Sequence, residues 1–274
     1  MNEGRDARGW LVAPAVLFLA IFFLYPVGVL LLLSITSPQT GLQNFATLFS
    51  VPVYLKALWN TVIISGLVTL LCALFGFPVA YTMAHATPRV RRLLIFVVLV
   101  PFWSSILVRT FAWMVLLQKT GLINKMLMTY LGIIETPLTL IYNRAGVLIG
   151  MTHVLLPFMI LPLLAVLSRI DPSLSSAAAS LGAPPARNFI RVYLPLSLPG
   201  LLSGSLLVFV VGLGYYITPA LLGGPGEVMI AQLIEMQVAD FGNWGLAAAL
   251  SVVLLVGTGT AFMFVNRSLL AGAR

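Results

Sequence analysis

The sequence predicts an all-α membrane protein with six transmembrane helices, and three observations predict it. Apolar runs of about twenty residues recur along the 274-residue chain, each long enough to cross the hydrocarbon core of a bilayer. Only 8% of residues are charged, whereas a soluble domain carries about 25%. Mean hydropathy is +1.07. An outer-membrane barrel would instead show short strands of alternating polarity.

The spans follow in order. The first covers roughly 10–34; its apolar length exceeds a signal-peptide core and no small-x-small cleavage site follows, so it is expected to remain as a helix. The others are 58–84, 93–117, 146–168, 199–222 and 244–265. Orientation follows from the basic residues of the short loops. One side collects Arg5, Arg8, Arg89, Arg91, Arg92, Arg169, Arg187, Arg191, Arg267 and Arg274; the other holds Lys56, Lys119, Lys125 and Arg144. Both termini are therefore expected in the cytoplasm. The net charge of +8 marks topology rather than a nucleic-acid surface, because the basic residues do not cluster on a soluble face.

Several chemistries are absent. All seven acids, Glu3, Asp6, Glu135, Asp171, Glu227, Glu235 and Asp240, fall outside the spans, whereas an ion-coupled carrier usually keeps an ionisable or coordinating group at mid-membrane. No zinc-protease, nucleophile-elbow or phosphate-loop motif occurs, so no catalysis, metal site or nucleotide site is expected in this chain. The single cysteine, Cys72, excludes an internal disulfide and reads as packing. His153 reads as a buried, hydrogen-bonded structural histidine, or as one lining a path.

Between the fourth and fifth spans lies a basic insert. Asp171-Pro172 is a helix start, with Asp as N-cap and Pro at the first helical position. Residues 172–181 read as helix and Gly182 as its left-handed C-cap. A second helix is expected over about 185–193, ended by Pro195 and Pro199 before the fifth span. Leu174, Ala177, Ala178 and Leu181 share one face of the first helix, and Phe189, Ile190, Tyr193 and Leu194 anchor the second. The insert either covers the end of the bundle or docks a soluble partner.

Its residues resemble a known signature. Ser176-Ala177-Ala178-x-x-x-Gly182, then nine residues, then Val192-x-Leu194-Pro195 reproduces the spacing E-A-A-x-x-x-G…I-x-L-P of binding-protein-dependent ABC importer permeases, with Ser176 replacing the acid and Val192 the isoleucine. Three further stretches, PFWSSILVRTFAW at 101–113, IYNRAGVLIGMTHVLLPFMILPLLAVL at 141–167 and YYITPALLGGPGEVMIAQLIEMQV at 215–238, are similar to spermidine/putrescine-type permeases of the B type. The resemblance implies the type I importer permease fold. Its transmembrane domain would span 58–267, preceded by a segment at 1–57 that holds the extra first helix and an external loop, and followed by a cytoplasmic tail at 268–274. It also implies a bacterial inner-membrane location, two ATPase subunits that bind the ATP and Mg²⁺, a second, C-type permease and an extracytoplasmic solute-binding protein. Ser176, Ala177, Ala178, Gly182, Arg187, Arg191, Val192, Leu194 and Pro195 would then form the segment gripped by the ATPase.

Other residues are candidates for the path. In a continuous third span, Arg109 would lie about 24 Å from the inner end, either snorkelling to the outer interface or joining an outer gate with Ser104 and Ser105. A guanidinium there suits an anionic or zwitterionic solute better than a polyamine. Tyr215 and Tyr216 offer aromatic faces to an organic cation; Trp103 and Trp113 read as interfacial anchors. Gly200, Gly204 and Gly212 form a small-residue stripe for helix packing, the second permease included. Glu227, Glu235 and Asp240 form an acidic outer loop that is either solvated or meets the binding protein. Within the same loop, residues around 228–239 have helical spacing and are expected to lie against the membrane's outer surface. A secondary transporter and a non-transport scaffold remain as rival readings.

Overall fold

The computed structural model describes residues 12–272, with side chains through 263. Arg5, Arg8, Arg274 and the side chain of Arg267, used above for topology, lie outside the described residues, as do Glu3 and Asp6. In chain order the helices are α1 (Val12–Thr36), α2 (Gln43–Ser50), α3 (Pro52–His85), α4 (Pro88–Trp103), α5 (Ile106–Leu117), α6 (Leu122–Lys125), α7 (Arg144–Leu167), α8 (Pro172–Ser180), α9 (Pro185–Leu213), α10 (Ile217–Leu222), α11 (Ile230–Ala239) and α12 (Trp244–Gly272). Among the described residues there is no strand, and 6 helical segments are long and apolar enough to cross a membrane.

The chain forms two compact units. In one, made by the chain up to Leu55 and Leu233–Val256, the end of α1 is tied to α2 by Asn44. The Asn44 amide donates to the carbonyls of Ser34 at 2.9 Å and Ser37 at 2.7 Å, groups that the last turn of a helix leaves free. Asn243 opens α12, its Oδ1 accepting from the Leu246 amide at 3.1 Å.

The other unit, Lys56–Gln232 with the chain from Gly257 on, is centred on α7. Met151, Leu155 and Met159 of α7 are fully buried against Ile64, Val68 and Cys72 of α3 and Val208 of α9. A second cluster joins Ala80 and Met83 of α3, Ile160, Leu163 and Leu167 of α7, and Tyr193 of α9. In lipid no hydrophobic drive separates helix from solvent, so close approach has to supply the attraction. The α9 glycines allow it: Gly200 faces Val166 and Leu163, Gly204 faces Met159, and Gly212 faces Ser65. The stripe read as helix packing is thus used inside this chain, against α7 and α3.

Three sequence expectations change. The third span, expected over 93–117, is two helices. Ser104 (ψ 146°) and Ser105 (ψ 137°) are extended, and the Ser104 hydroxyl donates to the Pro101 carbonyl at 3.0 Å. Serine side chains that compete for backbone groups end helices in this way, and hydropathy does not register it. The helix expected over 185–193 does not stop before the fifth span. A wide turn at Phe189–Tyr193, in which the Leu194 amide reaches back to Phe189, opens the helix wall ahead of Pro195, and α9 continues through Pro195 and Pro199. The fifth span, expected to run to 222, breaks at Gly214–Tyr216 and resumes as α10.

Candidate functional site: an intramembrane polar cluster and a basic knob

The break between α4 and α5 sets where Arg109 stands. It occupies the first turn of α5, its amide donating to the Ser105 carbonyl at 3.1 Å, so a straight-helix ruler does not give its depth. Arg109 lines a cavity of about 210 Å³ with Phe102 of α4, Val154, Leu155 and Phe158 of α7, Val211 of α9 and Tyr215. Its Nε is buried with no hydrogen-bond partner. The Ser104 hydroxyl donates to the Pro101 carbonyl, and neither Ser104 nor Ser105 lines the cavity beside Arg109. Arg109 lies close enough to act electrostatically on both His153 and Tyr215. Trp113 Nε1 donates to His153 Nδ1 at 3.2 Å, which leaves Nε2 to carry the imidazole proton. Trp113, read as an interfacial anchor, is instead a partner of His153. Thr110 and Thr218 approach within 3.4 Å, linking α5 to α10. Tyr215 lines the cavity, whereas Tyr216 is 38% exposed and starts α10. The hollow is thus aromatic-walled and lined by a guanidinium and a phenol with no carboxylate, while the Trp113–His153 and Thr110–Thr218 contacts lie outside its lining.

The outer loop has a different construction. Glu227 receives Arg144 Nε at 2.8 Å and is buried more deeply than its partner. Arg144 Nη2 also reaches Asn60 Oδ1 at 3.5 Å, and Asn60 Nδ2 donates to the Gly226 carbonyl at 2.7 Å and the Val228 carbonyl at 3.2 Å. The Ile230 amide donates to Thr61 Oγ1 at 2.8 Å. Of the three acids grouped as a binding-protein contact, Glu227 is therefore engaged in holding its own loop, while Glu235 and Asp240 are exposed. The helix expected over 228–239 forms as α11, starting at Ile230, which is fully buried as is Met229 just before it. Asn60, Thr61 and Arg144 were not singled out by the sequence. The one available signal was a polar Asn-Thr pair inside an apolar run.

The basic insert forms a knob. Asp171 Oδ1 accepts from the Ser173 amide at 2.8 Å, a bond that holds the Asp171 carboxyl below its usual range. Gly182 closes α8 at φ +78°, with the Ala183 amide donating back to the Ala178 carbonyl at 3.1 Å. Asn188 Nδ2 donates to the Ser175 carbonyl at 3.4 Å and ties the two helices together. Ser176, Ala177, Arg187, Arg191 and Pro195 are exposed, and Ala178, Val192 and Leu194 are half-buried. The second helix is anchored by Phe189 and the buried Tyr193, which pack edge-on to Phe77 and Tyr81 of α3. Ile190, expected in that anchor, is instead exposed.

No family model matches the chain. The spermidine/putrescine transport system permease PotB of Haemophilus influenzae is 37% identical over 215 residues, covering 78% of this chain and 74% of that protein. The chain belongs to the PotB permease family. PotB of Escherichia coli is 34% identical over 218 residues, covering 80% and 78%, and the inner membrane ABC transporter permease YdcU of the same species is 34% identical over 243 residues, covering 84% and 77%. Among solved structures, a bacterial alginate ABC transporter in complex with alginate pentasaccharide-bound periplasmic protein aligns at TM-score 0.78 and 20% identity over 96% of this chain and 94% of that one. The MetNI methionine ABC transporter in inward-facing form aligns at 0.60 and 19% over 80% and 96%. This PotB-family permease therefore has the fold of an ABC importer permease.

Proposed function

We propose that this chain is the B-type permease subunit of an ATP-driven importer in the bacterial inner membrane, carrying a polyamine or a related small organic solute. Its PotB relatives support the solute class. An extracytoplasmic binding protein delivers solute to the outer face beside a second, C-type permease. ATP and Mg²⁺ are bound by separate ATPase subunits, so this chain performs no catalysis and holds no cofactor. Both termini are cytoplasmic, on the side of the basic loops. The α8–α9 knob receives the motion of the ATPase, and the hollow around Arg109 and Tyr215 belongs to the path.

The observation that carries this reading is the uncovered apolar face of α8, where Leu174 is 44% exposed and Leu181 is 89% exposed. A face of that kind, on a knob rimmed by Arg187 and Arg191, fits a partner's groove better than it fits water. Reconstitution of the permease with its ATPase and binding protein tests it. Leu181→Glu should abolish ATP-driven uptake while the thermal unfolding of the permease stays unchanged. Undiminished ATP-driven uptake by that variant would sink the coupling role of α8.

A further inference from the structure

A second cavity lies at the root of the knob. It has a volume of about 280 Å³ and is lined by His85 at the end of α3, Ser168 at the end of α7, Asp171 and Ser175 at the start of α8, and Tyr193 of α9. Three features give it the character of a site. First, Tyr193 is only 6% exposed, yet its hydroxyl is buried with no hydrogen-bond partner. A buried hydroxyl is normally satisfied, and an orphaned one at a cavity marks a missing ligand or solvent group. Second, the lining carries one carboxylate and no Lys or Arg. Asp171 accepts from the Ser173 amide through Oδ1 and also from the Ser173 hydroxyl, and a carboxylate, with about four lone-pair positions, still has capacity to accept. Third, two rings line it, those of Tyr193 and His85, 5.6 Å apart; Tyr81, outside the lining, backs the Tyr193 ring at 5.0 Å. His85 Nδ1 engages the Tyr81 carbonyl at 2.8 Å, so it carries the proton and the ring is fixed in place.

A carboxylate, an acceptor-capable phenol and aromatic faces together select a small organic cation whose head can donate hydrogen bonds. The volume far exceeds the roughly 30 Å³ share of one water molecule. We propose that this cavity is a binding site for a small organic ammonium ion, reached from the cytoplasm, through which imported solute restrains the knob. An ammonium group placed between Asp171 and Tyr193 supplies the partner that the phenol lacks. A solute that fills the cavity also touches His85 and Ser168, at the ends of α3 and α7, and so resists movement of α8 relative to them. The effect on ATP hydrolysis rests on the coupling role proposed above; the binding site does not.

The test uses the assembled transporter in lipid nanodiscs, with empty nanodiscs as blank. Radiolabelled putrescine is the probe and the uncharged butanediol of the same chain length the control. Asp171→Asn removes the charge and keeps a capping oxygen, and Tyr193→Phe removes only the hydroxyl, so neither is expected to unfold the knob. The expected result is putrescine binding that weakens about tenfold in each variant, the size of a lost hydrogen bond to a charged group. Millimolar putrescine should also slow ATP hydrolysis in the wild type and lose that effect in both variants. Binding that is equal in wild type and Asp171→Asn, or equal for putrescine and butanediol, overturns the site and leaves the cavity to water. Binding that weakens in the variants while hydrolysis never responds upholds the site and overturns the coupling role on which the restraint depends.

Discussion

Gly204 of α9 meets Met159 of α7 at a close helix–helix approach, and the energetic weight of that contact can be worked from the geometry. A Cβ placed on Gly204 would stand 2.8 Å from Met159 Sδ, 3.0 Å from the Met159 carbonyl oxygen and 3.2 Å from its Cα. Ordinary carbon contacts are about 3.5–4.0 Å, so the helices must separate by roughly half an ångström along that line. Overpacking of this kind costs about 1–3 kcal/mol. Replacing a helical glycine by alanine returns about 0.5–1 kcal/mol in chain entropy. Gly204→Ala should therefore destabilise by a net of about 1 kcal/mol, within a range of roughly 0–2.5 kcal/mol. Gly66→Ala is the matched control: a Cβ placed there would have nothing within 4 Å, and the change should stabilise slightly. Thermal unfolding of a fluorescent fusion in detergent, read by size exclusion, should separate the two variants by several degrees, given about 2–4 °C per kcal/mol for a chain of this size. Met159→Ala on its own should cost about 2–5 kcal/mol, because Met159 is fully buried; in that background Gly204→Ala should cost less than in the wild type but still something, because the sulfur clash goes while the backbone oxygen and Cα remain. Equal melting of Gly204→Ala and Gly66→Ala would refute the close approach as the source of helix association here.

The remaining predictions concern the loop, the cap and the polar cluster. Arg144→Ala and Glu227→Gln should each loosen the 223–230 loop by about 1 kcal/mol or less, since the pair is partly exposed, and the double variant should match the worse single one; limited proteolysis of the loop reads it. The Asp171 carboxyl is held below its unfolded value by the Ser173 amide, so its cap contributes fully above the unfolded carboxylate range and is lost as pH falls through the depressed value. Hydrogen exchange in the first turn of α8, corrected for intrinsic rates, should accelerate in acid, and Asp171→Asn should flatten that dependence. Trp113→Phe removes the donor to His153 Nδ1 and should lower unfolding stability by about 1 kcal/mol, whereas Trp103→Phe, at an exposed ring, should not.

What could be read from sequence divides by how local its cause is. Asp171, Pro172 and Gly182 fix the ends of α8 through bonds to residues two to five positions away, and a short window contains everything required. Most of the apolar segments are legible for the same reason, because composition alone decides whether a stretch can live in lipid; the third, expected over 93–117, instead runs Ile106–Tyr130. The break at Ser104–Ser105 escapes this kind of reading. The residues around it are apolar on both sides, and the helix is interrupted where the Ser104 hydroxyl takes the Pro101 carbonyl. The Arg144–Glu227 pair joins residues 83 apart, and a survey of charges loop by loop assigns them to different loops with no reason to meet. The same limit hid the His153 environment: its partner Trp113 is 40 residues upstream, on a helix whose direction depends on the break that the sequence did not reveal.

The continuity of α9 changes what the knob can do. A stop at Pro195 would have left a flexible joint between the second knob helix and the fifth span, and displacement of the knob would have been lost in that joint. Instead one helix runs from Pro185 to Leu213, from the knob to within two residues of Tyr215. The wide turn at Phe189–Tyr193 absorbs the proline without ending the helix. Beyond it, Gly200 and Gly204 lie so close to α7 that α9 cannot roll over that surface without clashing with Leu163 or Met159. The joints of the insert are then Arg169–Asp171 and Leu181–Pro184, which flank α8 alone. A force applied at α8 passes through the Asn188–Ser175 link into a rigid rod whose far end borders the Arg109 hollow. On the proposed mechanism the lever is α9 and the handle is α8. Residues that preserve the rod, Gly200, Gly204 and the turn before Pro195, should matter to transport as much as those that face the ATPase.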